Sequence, residues 1–202
     1  MIDSLSKLVY VAAFALLILL CQYGAETMGR LHYEEQGHTR IFDLAHKYLP
    51  DWHSSQWIIN ILPAALLVYA FIQPKGLNVL QATFFMLMVV LAIRGLTVVS
   101  TVLPKHDDCV VKGSGFWNIF QGGGCYDKIF SGHTAFVTLI TLNLLKYGYI
   151  SQPLFWAIAL LNGGLILLTR GHYTVDVVLG FIISYLVFDG DYRLLGGARW
   201  WN

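Results

Sequence analysis

Four stretches of this chain carry no charged residue: 8–25, 54–74, 76–93 with its continuation 95–104 beyond Arg94, and 147–169. An α-helix needs about 20 apolar residues to cross the hydrocarbon core of a bilayer, so these lengths predict membrane spans. Two further segments, about 132–150 and about 171–188, are apolar except for a few polar residues near their starts. The expected fold is therefore all-α: a polytopic membrane protein with six transmembrane helices, forming a single domain over 1–202. A soluble domain of buried helices is the competing reading, but such helices show a charged face with a 3.6-residue period. These segments are apolar all round. Charged residues make up 12% of the chain, against roughly 25% in soluble domains.

The first apolar run follows Lys7 and could pass for a signal peptide. No clear small-x-small site ends it, so it is expected to stay as an uncleaved first helix. The net charge of +1 argues against a nucleic-acid partner and against a strong polybasic attraction to lipid. Cys109 and Cys125 share the loop between the third and fourth spans. They form a disulfide if that loop faces an oxidising compartment and are two free thiols otherwise.

Counting crossings puts Pro104, Ser131, Arg170 and His172 on one face of the membrane, together with the long loops 25–53 and 105–130. Long loops are where sites are usually built. The opposite face has only short turns near 73–76 and 146–153. The short-loop side with both termini carries Lys7, Lys75, Lys146, Arg193 and Arg199. Short loops and flanks weigh most in the positive-inside rule, which predicts cytoplasmic termini and a site on the exoplasmic or luminal face.

His172 and Asp176 are four residues apart, one turn of helix, so their side chains share a face. A carboxylate beneath an imidazole fixes its tautomer and stabilises the ring when it becomes positively charged. Ionisable groups in a span are costly and are functional by default, although a buried His-Asp pair can also serve packing. SGHT reads as a helix start, with Ser131 as the N-cap and Gly132 open to close approach. Free N–H groups and a partial positive charge there suit a phosphate, and His133 can donate a proton from the same turn. Arg94, Thr97 and Thr101 form a polar stripe on the third span. Arg94 needs either an anion or a buried partner such as Asp176.

His32, His38, His46 and His53 lack ligand spacing, and the Gly122-Gly123-Gly124 run makes no nucleotide cradle. Neither a metal nor a soluble cofactor is expected.

The sequence SGH followed by HxxxD on a later helix resembles the type 2 phosphatidic acid phosphatase (PAP2) superfamily. The finer pattern resembles its sphingomyelin synthase branch. LPD at 49–51, RGLTVVSTVLP at 94–104, CYDKIFSGHT at 125–134 and HYTVDV at 172–177 correspond in order to that branch's four motifs, and the likeness covers about 49–188. It implies a PAP2-like helical bundle without cofactor. It also implies a lipid phosphotransferase moving a phosphocholine or phosphoethanolamine type head group from a glycerophospholipid to ceramide or a similar alcohol. A phosphatase or phospholipase C using the same residues is the alternative, and a non-catalytic lipid-binding protein or transporter a third. In the first reading His172 is the nucleophile, Asp176 orients it, and His133 is the acid and base. Arg94, Ser131, Gly132 and Asp127 would bind substrate. The membrane lipids are the expected partners, with room for a homo-oligomer.

Three features depart from the pattern. Tyr126 stands where the family has glycine. Ile166 occupies the position of the phosphatases' phosphate-binding arginine. The chain as given lacks the extra N-terminal domain and long tails of many animal relatives.

Overall fold

The computed structural model describes residues 4–36, 41–104, 125–126 and 128–194. Among them every regular element is helical: α1 (Ser4–Gln36), α2 (Leu44–Tyr48), a 3-10 segment (His53–Asn60), α3 (Ile61–Phe71), α4 (Gly76–Ser100), α5 (Gly132–Lys146), α6 (Gln152–Leu168) and α7 (Thr174–Leu194).

The stretch expected as the first long loop is largely helical. α1 continues past its apolar run because Glu26, Arg30, Glu34 and Glu35 are good helix formers, and Glu26 pairs with Arg30 one turn on at 3.5 Å. Among the described residues, two stretches are long and apolar enough to cross a membrane, His53–Phe71 and Gly76–Ser100. Other expected spans are helical but shorter: α5 has 15 residues and α6 has 17, below the roughly 20 that a crossing takes. α7 has 21 residues but includes Asp176, Asp189, Asp191 and Arg193. Large apolar side chains nonetheless face outward on α6 and α7, Leu160 at 76% exposure and Leu186 at 60% among them.

The chain divides into two compact units. The first comprises Met1–Asp43 and Leu91–Phe130. In it Tyr126 is wholly buried and stacks on Tyr33 with ring centroids 5.8 Å apart. Its backbone N–H donates to Glu26. Tyr33 in turn donates its hydroxyl to the Val102 carbonyl at 2.8 Å. The ring of Tyr126 lies directly over Gly29, where a Cβ would fall 2.3 Å from it. The tyrosine that departs from the family pattern is thus matched by a glycine on α1.

The second unit comprises Leu44–Val90 and Ser131–Asn202. Its centre is α5, which packs against α7, α6 and α3. Val137, Ile140 and Leu144 of α5 meet Leu66 and Ala70 of α3 and Phe155 of α6 in one apolar cluster. Inside it Asn143 donates to the Thr83 hydroxyl and to the Leu139 carbonyl, since a buried amide must find partners.

Two helices of this unit end in the same 6→1 and 5→2 hydrogen-bond pattern with a left-handed residue after the cap. At the end of α5 that residue is Gly148, with φ +75°, and Tyr149 and Gly148 donate back to Leu144 and Leu145. At the end of α6 it is Arg170, with φ +56°, and Gly171 and Arg170 donate to Ile166 and Leu167. An arginine in the left-handed region costs roughly 1 kcal/mol that glycine does not, and the side chain has a reason to be there.

Candidate active site

That reason is the segment carrying the LPD motif. The Arg170 Nη2 donates to the Leu49 carbonyl at 2.8 Å, and its Nε lies 3.4 Å from the Asp51 carboxylate. Beside this link the Trp52 N–H donates to the Leu168 carbonyl at 2.8 Å. The Ala45 N–H reaches the Thr174 hydroxyl at 3.3 Å. The His46 Nε2 donates to the His172 carbonyl at 3.1 Å, and the His46 ring lies against Tyr173. The turn between α6 and α7 is therefore fastened by residues more than a hundred positions earlier. Partial burial pushes the Asp51 carboxyl up, but donation from the His53 backbone and ring and the charge of Arg170 outweigh it, so its pKa is lowered.

His172 lies on this turn, and Asp176 follows in the first turn of α7. The His172 Nδ1 is 3.6 Å from the Asp176 Oδ2, close enough for an ion pair and loose for a hydrogen bond. Asp176 is fully buried. Its Oδ2 also accepts the Tyr173 N–H at 3.0 Å, the back-reaching half of a capping box, which fixes the carboxylate on the side facing His172. The negative charge sits favourably at the helix N-terminus.

The second element arrives through Ser131. With extended backbone it caps α5, accepting the Thr134 N–H on its hydroxyl at 3.2 Å. Its own N–H donates to the Asp176 carbonyl at 3.0 Å. The approach depends on Gly180, where a Cβ would lie 2.9 Å from the Ser131 carbonyl oxygen and 3.2 Å from the Thr134 Cβ. The SGH turn and the HxxxD turn are thereby locked together at one end of the second unit.

His133 projects from the first turn of α5, and its Nε2 lies 2.9 Å from the Asn60 Oδ1. Of the residues expected from sequence, Ser131, Gly132, His133, His172 and Asp176 all fall in this unit. Arg94 belongs to the first unit, where it is buried and its Nε donates to the Phe130 carbonyl. Thr97 turns its hydroxyl back to the Arg94 carbonyl, so the polar stripe partly satisfies itself. Asp127 and Cys109 lie outside the described residues. Cys125 is disulfide-bonded, and Cys21 is a buried free thiol.

Sequence reasoning passed over Asn60, His46 and Arg170. The first two carry no motif, and the third was placed only on the same membrane face as His172. A polar residue two turns past a motif, at the head of an apolar run, was the one available hint of Asn60.

A helical unit that holds a histidine and carboxylate pair against a serine-capped helix start is what the PAP2 pattern leads one to expect. Residues 124–193 match the family model described as PAP2 superfamily C-terminal. The finer resemblance is borne out as well, since the chain is similar to named ceramide phosphotransferases. It is 30% identical over 139 residues to phosphatidylcholine:ceramide cholinephosphotransferase 1 of Gallus gallus, covering 56% of this chain and 33% of that protein. With the Rattus norvegicus protein of the same name it shares 27% over 164 residues, 66% of this chain and 39% of the relative. It is 36% identical over 74 residues to phosphatidylinositol:ceramide inositolphosphotransferase 3 of Arabidopsis thaliana, 35% of this chain and 26% of that one. The chain thus spans between about a quarter and two fifths of the length of these relatives.

Proposed function

We propose that this protein is an integral-membrane lipid phosphotransferase with six spans. It moves a phospho-head group from a glycerophospholipid to ceramide or a similar lipid alcohol and releases diacylglycerol. The observation that carries this reading is the His172 and Asp176 pair, fastened through Ser131 to the helix start that bears His133. The outward-facing leucines of α6 and α7 support lipid contact, since large exposed apolar patches are rare on soluble monomers.

With Nδ1 directed at Asp176, His172 presents Nε2 to the phosphorus. The new P–N bond forms as the bond to the diacylglycerol oxygen breaks, and His133 gives that oxygen a proton. Asp176 stabilises the positive charge on His172. The acceptor hydroxyl then attacks the phosphorus, its proton passes to His133, and the P–N bond breaks. Splitting one displacement into two easier steps is the gain from a covalent intermediate. Ser131 and Gly132 stand at the α5 N-terminus, whose partial positive charge suits phosphoryl oxygens. The resemblance adds Arg94 and Asp127 to the residues proposed to contact substrate. Neither a metal nor a cofactor has a part in this scheme. The disulfide at Cys125, six residues before Ser131, supports an exoplasmic or luminal site with cytoplasmic termini.

The test is purified protein in liposomes containing head-group-labelled phospholipids, with and without ceramide, every labelled product being read by mass spectrometry. Label on the ceramide is expected. Label released only as a water-soluble phosphate or phospho-alcohol would replace the transferase by a phosphatase or a phospholipase C. Label that stays on the donor would overturn the enzymatic reading.

A further inference from the structure

We propose that Asn60 is the positioning residue of His133, holding its imidazole as the Nε2–H tautomer so that proton exchange with the lipid oxygens runs through Nδ1. The inference deepens the reading just given and rests on His133 being the acid and base of that transfer.

The amide oxygen of Asn60 lies 2.9 Å from the His133 Nε2. An oxygen there can only accept, so the imidazole nitrogen facing it must carry hydrogen. Asn60 stands at the junction of the 3-10 segment and α3, the N-cap position of α3, yet its side chain makes no capping bond. Asparagine at that position usually turns its oxygen onto the helix's own N–H groups. Here it crosses to a residue 73 positions away.

The crossing is held from behind. α3 packs on α5, Leu66 and Ala70 meeting Val137 and Ile140 in the buried cluster, so both side chains leave helices that are rigid against each other.

The two histidines differ in what they must do, and their partners differ accordingly. His172 becomes cationic while it holds the phosphoryl group, and it is given a carboxylate. His133 must release a proton in one step and regain it in the next. A carboxylate on its rear nitrogen would hold that proton and raise the cost of release. A neutral amide fixes which nitrogen reacts without adding charge. In turnover the Nδ1 proton passes to the departing diacylglycerol oxygen while Nε2–H stays on Asn60, and the acceptor hydroxyl's proton later returns to Nδ1.

The test uses the full chain, labelled with 15N-histidine, in lipid nanodiscs. Nitrogen NMR distinguishes the two neutral tautomers, and the His133 signals are assigned by their loss in His133→Ala. The expected wild-type spectrum above the imidazole titration is the Nε2–H form. Asn60→Leu should give a mixture and lower kcat by about tenfold or more, within the range of an acid-base contribution, with KM for the donor lipid changed less than about twofold. Asn60→Asp, which keeps an acceptor, should restore the Nε2–H form and move the pH optimum upward.

A wild-type Nδ1–H form, or a His133 spectrum unchanged by Asn60→Leu, would overturn the proposal. The wild-type spectrum decides it even if the leucine variant does not fold. The expected tautomers in a protein that moves no head group would uphold the Asn60 contact and overturn its catalytic use, and with it the function proposed above.

Discussion

The backbone N–H of Ser131 donates to the carbonyl oxygen of Asp176, so the start of one helix is bonded to the first turn of another 45 residues later. That carbonyl belongs to the residue whose side chain faces His172. A single residue of α7 thus locates both the capped turn of α5 and the imidazole on the preceding turn.

Gly180 makes that bond possible. In Gly180→Val the new carbon would press on the Ser131 backbone and the Thr134 side chain, and overpacking of this kind costs about 1–3 kcal/mol. The variant should melt earlier in detergent and lose most transfer activity. Gly164→Ala is the control, because a Cβ there meets nothing within 4 Å. Equal melting temperatures and activities in the two variants would show that the close approach does not matter.

Asp176→Asn keeps an oxygen for the Tyr173 N–H and removes the charge. Transfer should fall by about 10⁴-fold, the scale seen when a triad histidine loses its carboxylate, while thermal stability changes little. His172→Ala should abolish transfer and any acid-labile phosphoenzyme trapped by rapid quench. Near-normal turnover in both variants would remove the histidine and aspartate from the mechanism.

Arg170 has two roles that substitution can separate. Arg170→Ala and Arg170→Gly both lose the link to Leu49 and Asp51 and should both reduce turnover. The glycine variant should melt higher, by about 1 kcal/mol of stability, because it adopts the left-handed cap without strain. Identical melting would mean that the backbone carries no cost at φ +56°.

The partner carboxylate predicts an acid response. The Asp51 pKa is lowered in the folded protein, so its contribution is fully present above the unfolded value of 3.8. It is lost as the pH falls through the lower folded value. Melting temperature recorded from pH 6 to pH 3 should drop more steeply in the wild type than in Asp51→Asn. Parallel curves would place the acid sensitivity elsewhere.

The motifs were legible because their chemistry is local. A histidine and an aspartate one turn apart, and a serine before a glycine and a histidine, carry their geometry in their spacing. Asn60 and His133 are 73 positions apart, and Arg170 and Leu49 are 121 apart. Such pairs leave no periodic trace, and only the packing of α3 and α6 on α5 brings them together. The apolar runs marked the longer helices, but neither their ends nor α2, which lies in the stretch expected as a loop. α1 runs on through charged residues because charge does not break a helix, and α5 stops early because Gly148 takes the left-handed cap.

Tyr126 and Gly29 supply the last test, one of compensation. The tyrosine ring fills the space over the glycine, and aromatic burial against Tyr33 contributes stability that a glycine at position 126 would lack. Gly29→Val alone should be strongly destabilising, since the ring would have to leave its stack. Tyr126→Gly alone should cost several kcal/mol through the void it leaves. The double variant should be more stable than the sum of the two losses requires, because the valine then occupies space that the ring has vacated. Melting temperatures of the four proteins in one detergent measure the coupling. Strict additivity would mean that the two residues do not share the site, and that the family's glycine and this chain's tyrosine are tolerated for unrelated reasons.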